Sequence, residues 1–263
     1  MTPPAATPGD DAVGACAAIV ARADPARFRA AMAAPLDARR TLFPLYAFNA
    51  EVARAPWVTA EPDIARIRLQ WWRDALDEIA EGRPVRRHEV ATPLAAVLDP
   101  EGAVALDDLV VARHGDLERD APADLAAILA YVDRTAGTLL WAAARLLGAT
   151  DAAAVRDAGR AQGVAGLLLA VPALVERGRH PLPHGDPASH AASLAAEGLA
   201  ALRRARRAGI APAARPALLV LPEAEAVLRR YAAHPESVLV PPPEAPPLRA
   251  RLALALRAMA GRP

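Results

Sequence analysis

The chain has 263 residues, of which 54% are hydrophobic and 4% aromatic, and its 31 basic residues, all arginine, nearly balance 30 acidic ones at a net charge of +1. About a quarter of the residues are alanine, which is typical of a helical protein because Ala, Leu and Arg are strong helix formers. The balanced charge excludes a dedicated nucleic-acid-binding protein, which would carry a basic excess. A single cysteine, Cys16, excludes an internal disulfide framework and an all-cysteine metal site.

The N-terminal residues 1–10 are rich in Pro and Gly and predict a disordered tail. They lack the positive charge and apolar stretch of a secretory signal. The longest apolar run, residues 163–175, contains Pro172 and is shorter than the roughly 20 residues that span a bilayer. We therefore expect a cytoplasmic protein, at most peripheral to the inner membrane.

Helical periodicity, with Pro and Gly as boundaries, predicts a bundle of helices and no strand. The second helix contains Pro44, which predicts a kink or a delayed start. In the third, apolar residues at spacings of three and four predict the buried face: Ile64, Ile67, Trp71, Ala75 and Ile79. The predicted helices cover residues 11–23, 38–54, 62–80, 93–98, 103–113, 122–147, 152–175, 188–207 and 222–232.

The domain organisation follows from the same boundaries. Residues 11–234 are predicted to form one helical domain, with a loop at 178–187. Residues 235–247 are rich in proline and favour an exposed linker, which leads to a final helix at 248–263. The sequence therefore predicts an all-α protein with one main domain.

Several acidic and histidine pairs have spacings that are compatible with metal binding. Asp74 and Asp77 lie one helical turn apart, and Asp116 and Asp120 follow a DxxxD pattern; carboxylates of this kind ligate Mg²⁺ together with substrate phosphates. The alternative interpretation is a solvated helix face for the first pair and a polar connector for the second. His180 and His184 lie in a loop with two prolines, where solvated side chains are favoured over a metal site.

A small basic cluster lies at the C-terminal end of the predicted helix 188–207. It consists of Arg203, Arg204, Arg206 and Arg207. Basic residues beside apolar positions are compatible with a membrane surface, and a solvated helix face is the favoured interpretation.

Four segments together resemble the squalene and phytoene synthases. LFPLYAFN at residues 42–49 resembles that family's ALYAFCR, and ARHGDL at 112–117 resembles its GMxMDL. YVDRTAGT at 131–138 is similar to YCYxVAGTVG, and residues 159–183 align without a gap on the block that ends in RGRxYLP. Their order and spacing agree over residues 28–183, so the resemblance implies an isoprenoid-synthase-like helical bundle with a central cavity.

Enzymes of this family condense two prenyl diphosphates head to head, and two aspartate-rich clusters hold the Mg²⁺ ions that neutralise the diphosphates. Here the positions that match the first cluster are Ala53 and Arg54, and those that match the second are Ala170 and Leu174. Without metal neutralisation, ionisation of a diphosphate in an apolar cavity is prohibitively unfavourable. The resemblance therefore implies a pseudoenzyme without catalytic residues, metal or other cofactor. The segment 67–79 looks closer to a family branch that assists the assembly of respiratory complex I.

The resemblance also implies a ligand pocket without metal. The candidate pocket residues are Tyr46, Asn49, Arg54, Trp71, Tyr131, Arg134, Arg177 and Arg179. Because arginine binds phosphates through paired hydrogen bonds, an anionic lipid or a prenyl phosphate is the expected ligand, and ordinary surface ion pairing is the alternative role of these arginines. A second hypothesis keeps an active Mg²⁺-dependent prenyltransferase that uses displaced acids, namely Glu51, Asp74, Asp77, Asp116 or Asp120.

Overall fold

The computed structural model describes residues 8–59 and 61–241, and this part of the chain is helical without a strand. The all-α prediction is confirmed. Besides the α-helices, the described residues contain one π-helical turn, Asp133–Gly137. They also contain short 3-10 turns at Ala55–Trp57, Arg113–Leu117, Pro212–Ala214 and Pro235–Leu239. The helices are α1 (Asp10–Ala23), α2 (Pro25–Ala33), α3 (Leu36–Arg54), α4 (Pro62–Ala80), α5 (Ala91–Ala95), α6 (Pro100–Ala112), α7 (Leu125–Val132), α8 (Thr138–Leu146), α9 (Ala152–Glu176), α10 (Pro187–Ala208), α11 (Arg215–Leu218) and α12 (Leu221–Ala233).

Aspartate side chains begin five of these helices by accepting hydrogen bonds from backbone N–H groups of the first turn, which have no partner within the helix. The capping residues of α2, α6, α7, α9 and α10 are Asp24, Asp99, Asp124, Asp151 and Asp186. The sequence prediction contains no helix at α2, because Pro25, directly after the first predicted helix, favours the end of a helix. Proline is equally suited to the first position of a helix, and the Asp24 carboxylate accepts from the N–H of Arg27 at 2.9 Å.

Two details of the predicted helices differ from the structure. Helix α3 begins at Leu36 and continues through Pro44, so the start is not delayed. On α4 the predicted buried face is wrong in its first half, since Ile64 and Ile67 are 45% and 68% exposed. Leu69 and Trp72 are buried instead. Two neighbouring stripes of α4 have the same apolar spacing, and packing against α6 decides which one is buried.

Helix α9 lies at the centre of the bundle and packs against α7, α8, α10 and α12. By length and composition it is the one described helix that is able to cross a membrane, although 44% of its apolar window is buried inside the protein. Small residues of α9, such as Gly159 and Ala161, are buried against the neighbouring helices and permit their close approach. The core helix of a soluble protein can have the same length and composition. Since α9 packs against four other helices, it is part of the core.

The two ends of the chain are described only in part. Residues 1–7 of the predicted tail lie outside the described residues, and α1 begins at Asp10. In the predicted linker 235–247, the first residues form the turn Pro235–Leu239, whose Val238 is 1% exposed. That turn packs against α9 and α10. The predicted C-terminal helix 248–263 lies outside the described residues.

Candidate ligand cavity

A cavity of about 420 Å³ opens between α7, the C-terminal half of α9 and the connection that follows α6. Its volume is within the range of roughly 300–1,000 Å³ that is usual for small-molecule sites. Apolar side chains form most of the wall. The lining residues are Trp57, Gly115, Asp116, Glu118, Arg119, Asp120, Ala121, Pro122, Ala127, Ile128, Tyr131, Leu167, Leu174, Arg179, His180 and Pro181.

The π-helical turn and two glycines of α9 place α7 against this cavity. A Cβ atom at Gly159 would lie 2.7 Å from the Cα of Gly137, and one at Gly163 would lie 2.6 Å from the Cβ of Ala136. Only glycine permits this approach. Because a π turn contains one extra residue, it changes the direction in which the residues before it project. Tyr131, two residues before the turn, lines the cavity.

Two lining side chains, those of Tyr131 and Asp116, form a hydrogen-bonded group with Arg113, which does not itself line the cavity. The hydroxyl of Tyr131 donates to Oδ1 of Asp116 at 2.6 Å. Nη1 of Arg113 donates to the Tyr131 oxygen at 2.6 Å and to Oδ2 of Asp116 at 3.2 Å. The side chains of Arg113 and Asp116 are 19% and 17% exposed. Burial raises the pKa of Tyr131 above its usual value, so its hydroxyl stays protonated and donates to the carboxylate.

Trp57 lies at the mouth of the cavity beside two arginines. The guanidinium carbons of Arg177 and Arg179 lie 5.3 and 5.0 Å from the centre of its ring, within the range of cation–π contacts. Arg179 also donates to the backbone carbonyls of Leu117 and Glu118, at 3.2 and 2.6 Å. These contacts connect the end of α9 to the connection after α6.

The charges of the lining do not form a basic pocket. Three carboxylates, those of Asp116, Glu118 and Asp120, face two guanidinium groups, those of Arg119 and Arg179. Asp116 and Asp120 therefore share one cavity. This lining differs from the arginine-based pocket for an anionic ligand that the resemblance implied.

Of the eight candidate pocket residues, Tyr131 and Arg179 line the cavity and Arg177 contacts its mouth. The other five lie elsewhere. Tyr46 is buried in α3 beneath the guanidinium of Arg27, 5.7 Å from the ring centre, and burial raises its pKa to about 12. Asn49 is 8% exposed on the same helix. Arg54 is exposed at the end of α3, where it donates to Glu51 at 2.8 Å.

The remaining two candidates, Trp71 and Arg134, are also away from the cavity. Trp71 packs edge-on against Trp72 with ring centres 4.8 Å apart, and the guanidinium of Arg86 lies 5.1 Å from its ring centre. Arg134 is exposed in the π-helical turn. Trp71 therefore belongs to an aromatic cluster that includes Trp72.

The positions that match the family's metal clusters lie on two helices. Ala53 and Arg54 are on the last turn of α3, and Ala170 and Leu174 are on α9. Leu174 lines the cavity. Within residues 8–59 and 61–241, no group of three or more His, Cys, Asp or Glu side chains is placed to hold a metal ion.

The other polar clusters of the sequence are surface features. Asp74 accepts from the amide of Gln70 at 2.7 Å on the exposed side of α4. His180 lines the cavity mouth, whereas His184 is exposed. In the basic cluster of α10, Arg204 pairs with Asp157 and Glu197, and Arg206 pairs with Glu225. Two of its four arginines are thus occupied in ion pairs.

Two residues with polar or aromatic contacts at the cavity, Trp57 and Arg113, are not among the candidates from the sequence. The GDL of residues 115–117 and the tyrosine at 131 were the available signals, since both belong to matched family blocks. Their contact with Arg113 depends on the 3-10 turn after α6, which brings residues 113 and 116 onto one side.

Comparison with known proteins agrees with this architecture. The model of the family "Squalene/phytoene synthase" matches residues 20–261. Complex I assembly factor 6 from Bos taurus is 27% identical over 183 residues, covering 64% of this chain and 52% of the relative. The Drosophila melanogaster homologue is 30% identical over 167 residues, covering 60% and 50%. The chain thus spans about half the length of the curated relatives it matches.

Two solved structures have the same fold. A dehydrosqualene synthase crystallised in complex with a ligand superposes with a TM-score of 0.77 at 14% identity, over 95% of this chain and 96% of that one. Squalene synthase HpnC from Alicyclobacillus acidocaldarius gives a TM-score of 0.70 at 15% identity, over 86% and 95%. The helical bundle is therefore of the squalene synthase type, as the resemblance implied. The chain belongs to the squalene/phytoene synthase family.

Proposed function

We propose that this protein is a non-catalytic member of the squalene/phytoene synthase family that acts as an assembly or lipid-binding factor. The observation that carries the proposal is the distribution of acidic side chains. In the described part of the chain they form no group that is placed to hold a metal. A diphosphate leaving group needs such neutralisation, because unit charges a few ångströms apart interact strongly where water is excluded.

Two of the acids that an active enzyme would have to use are already paired with arginines. Glu51 accepts from Arg54 at 2.8 Å. Asp116 is held by Arg113 and by the Tyr131 hydroxyl. The residues present therefore do not fit the Mg²⁺ cluster of a prenyl synthase.

The alternative, an active prenyltransferase with displaced acids, requires that those acids converge. Asp116 and Asp120 share the cavity, but Glu51, Asp74 and Asp77 lie on α3 and α4 and do not line it. Incubation of the purified chain with geranylgeranyl diphosphate and Mg²⁺, with detection of released pyrophosphate, tests both functions. We expect no release above that of the buffer. Metal-dependent release would overturn the non-catalytic proposal and favour the alternative.

The assembly role is supported by the relatives named as complex I assembly factors. We propose that the chain acts at the cytoplasmic face of the inner membrane on an intermediate of a respiratory complex. Deletion of its gene should lower the amount of assembled complex I on native gels, and a plasmid copy should restore it. Unchanged complex I in the deletion strain would contradict the assembly role.

A further inference from the structure

The Asp116 carboxylate, which lines the cavity, has unused hydrogen-bond acceptor positions. Each carboxylate oxygen accepts up to two hydrogen bonds. Oδ1 of Asp116 accepts one from Tyr131, and Oδ2 accepts one from Arg113. The Tyr131 hydroxyl uses its only proton in that bond. A ligand group that meets Asp116 and Tyr131 therefore finds acceptors and must itself donate.

Two arginines near the cavity already donate hydrogen bonds, and a third lies between two acids in the chain. Arg113 donates to both other members of the group and does not line the cavity. Arg179 donates to two backbone carbonyls and lies against Trp57. Arg119 is exposed between Glu118 and Asp120 in the chain. A phosphate that entered the cavity would approach the Asp116 carboxylate, and like charges at such distances repel.

The rest of the wall suits an apolar chain. Ile128 of α7, Leu167 and Leu174 of α9, and the prolines 122 and 181 face the same space. Burial of apolar surface provides about 0.8 kcal/mol for each methylene group. The cavity thus combines an apolar wall with the Asp116 carboxylate, which Tyr131 and Arg113 hold in place and which is able to accept a further hydrogen bond.

We propose that the cavity binds an uncharged amphiphile, a long apolar chain that ends in a hydroxyl group, with the hydroxyl donating to the carboxylate of Asp116. This inference rests on the proposed non-catalytic function and specifies the ligand class of the same cavity. It replaces the anionic ligand that the sequence predicted, because the lining acids outnumber the lining arginines. Tyr131 and Arg113 hold the carboxylate in place and are positioning residues.

The wild-type protein by itself tests the ligand class. Trp57 lines the cavity, so quenching of tryptophan fluorescence follows its occupation, and a Trp57→Phe variant shows which part of the signal arises there. The probes are geranylgeraniol, geranylgeranyl monophosphate and 1-hexadecanol. A hydrogen bond to a charged group is worth about tenfold or more in affinity, so we expect geranylgeraniol to bind at least about tenfold more tightly than the monophosphate. Comparison with hexadecanol distinguishes a branched isoprenoid chain from a straight one.

Substitution of Asp116 should change the binding affinities of the alcohol and the monophosphate in opposite directions. In Asp116→Asn the alcohol should bind about fivefold to tenfold more weakly, since charge-assisted hydrogen bonds are roughly twice as strong as neutral ones. The monophosphate should bind more tightly, because a negative charge has been removed. Asp108→Asn on α6 removes the same charge from an exposed site outside the cavity lining and should change neither affinity. A purely structural role of Asp116 would lower both affinities together.

Tighter binding of the monophosphate to the wild type, or no binding of either alcohol, would overturn the inference even if Asp116→Asn fails to fold. The proposed function would fail separately, through pyrophosphate release or through unchanged complex I in the deletion strain. The two sets of outcomes are therefore distinguishable.

Discussion

The contact between α9 and the π-helical turn leads to a quantitative prediction. In Gly159→Ala, the new Cβ would lie 2.7 Å from the Cα of Gly137 and 3.1 Å from the carbonyl oxygen of Ala136. Both are backbone atoms, which are unable to rotate away, so the helices must separate. Insertion of a methyl group into a packed interior destabilises by about 1–3 kcal/mol, and the better helix propensity of alanine offsets about 1 kcal/mol. We expect a net loss of up to about 2 kcal/mol.

Gly166 provides a matched control on the same helix. A Cβ there has no atom within 4 Å, so Gly166→Ala should stabilise the protein by about 0.5–1 kcal/mol through helix propensity alone. Urea unfolding followed by circular dichroism measures both free energies. Because the gain in helix propensity is common to both variants, they should differ by the steric cost alone, about 1–3 kcal/mol. If both substitutions stabilise the protein equally, the close approach of α9 to the π-helical turn is wrong, and so is the position of Tyr131 derived from it.

Three further predictions concern the cap of α6, the buried thiol and the core. The hydrogen bond from Arg145 holds the pKa of Asp99 below its usual value of 3.8. The resulting contribution to the free energy of unfolding is present above that pH and is lost as the pH falls through the lower folded-state pKa. Asp99→Asn should therefore be less stable than the wild type at about pH 7, and the difference should shrink at about pH 3. Burial raises the pKa of Cys16 to about 12, so the thiol is protonated and unreactive at about pH 8. Iodoacetamide should label it only after denaturation, and rapid labelling of the native protein would contradict its burial. Leu168 of α9 is fully buried, and Leu168→Ala should lower the free energy of unfolding by about 2–5 kcal/mol in urea; a loss below about 1 kcal/mol would place it outside the core.

The ion pairs around the π-helical turn explain why this region holds its shape. Arg160 of α9 donates to Asp133 in the turn and, at 3.1 Å, to Glu197 of α10. The hydroxyl of Thr135 donates to the carbonyl of Tyr131 at 2.8 Å. The turn is thus connected to two neighbouring helices, and Tyr131, which donates to Asp116, is positioned by contacts outside the cavity.

Much of the helical architecture was predictable from local signals. The continuous helix at 122–147 corresponds to α7, the π-helical turn and α8, and the helix at 152–175 corresponds to α9 within one residue at its end. Both rest on long apolar periodicity bounded by Asp, Pro and Gly. Helix α2 was missed because Pro25 both ends one helix and begins the next. Local sequence does not distinguish these two roles.

The candidate site was predictable only in part. Tyr131 and Arg179, which belong to two family blocks, line one cavity, whereas Tyr46 and Arg54 lie away from it. Both of these were selected because they belong to a matched block. A block identifies a helix, but the rotation of that helix decides which side chain reaches the cavity, and neighbouring helices determine the rotation.

The amino-acid sequence by itself determined the all-α class, the helical boundaries near Asp and Pro residues, and the resemblance that the family match confirmed, because periodicity, capping and motif order are local properties of the chain. Only the tertiary structure decided that Leu69 and Trp72, and not Ile64 and Ile67, are the buried side chains of α4, and that Asp116 meets Tyr131 and Arg113. These contacts join residues that are distant in the chain. They depend on the packing of helices around α9, which no single segment encodes.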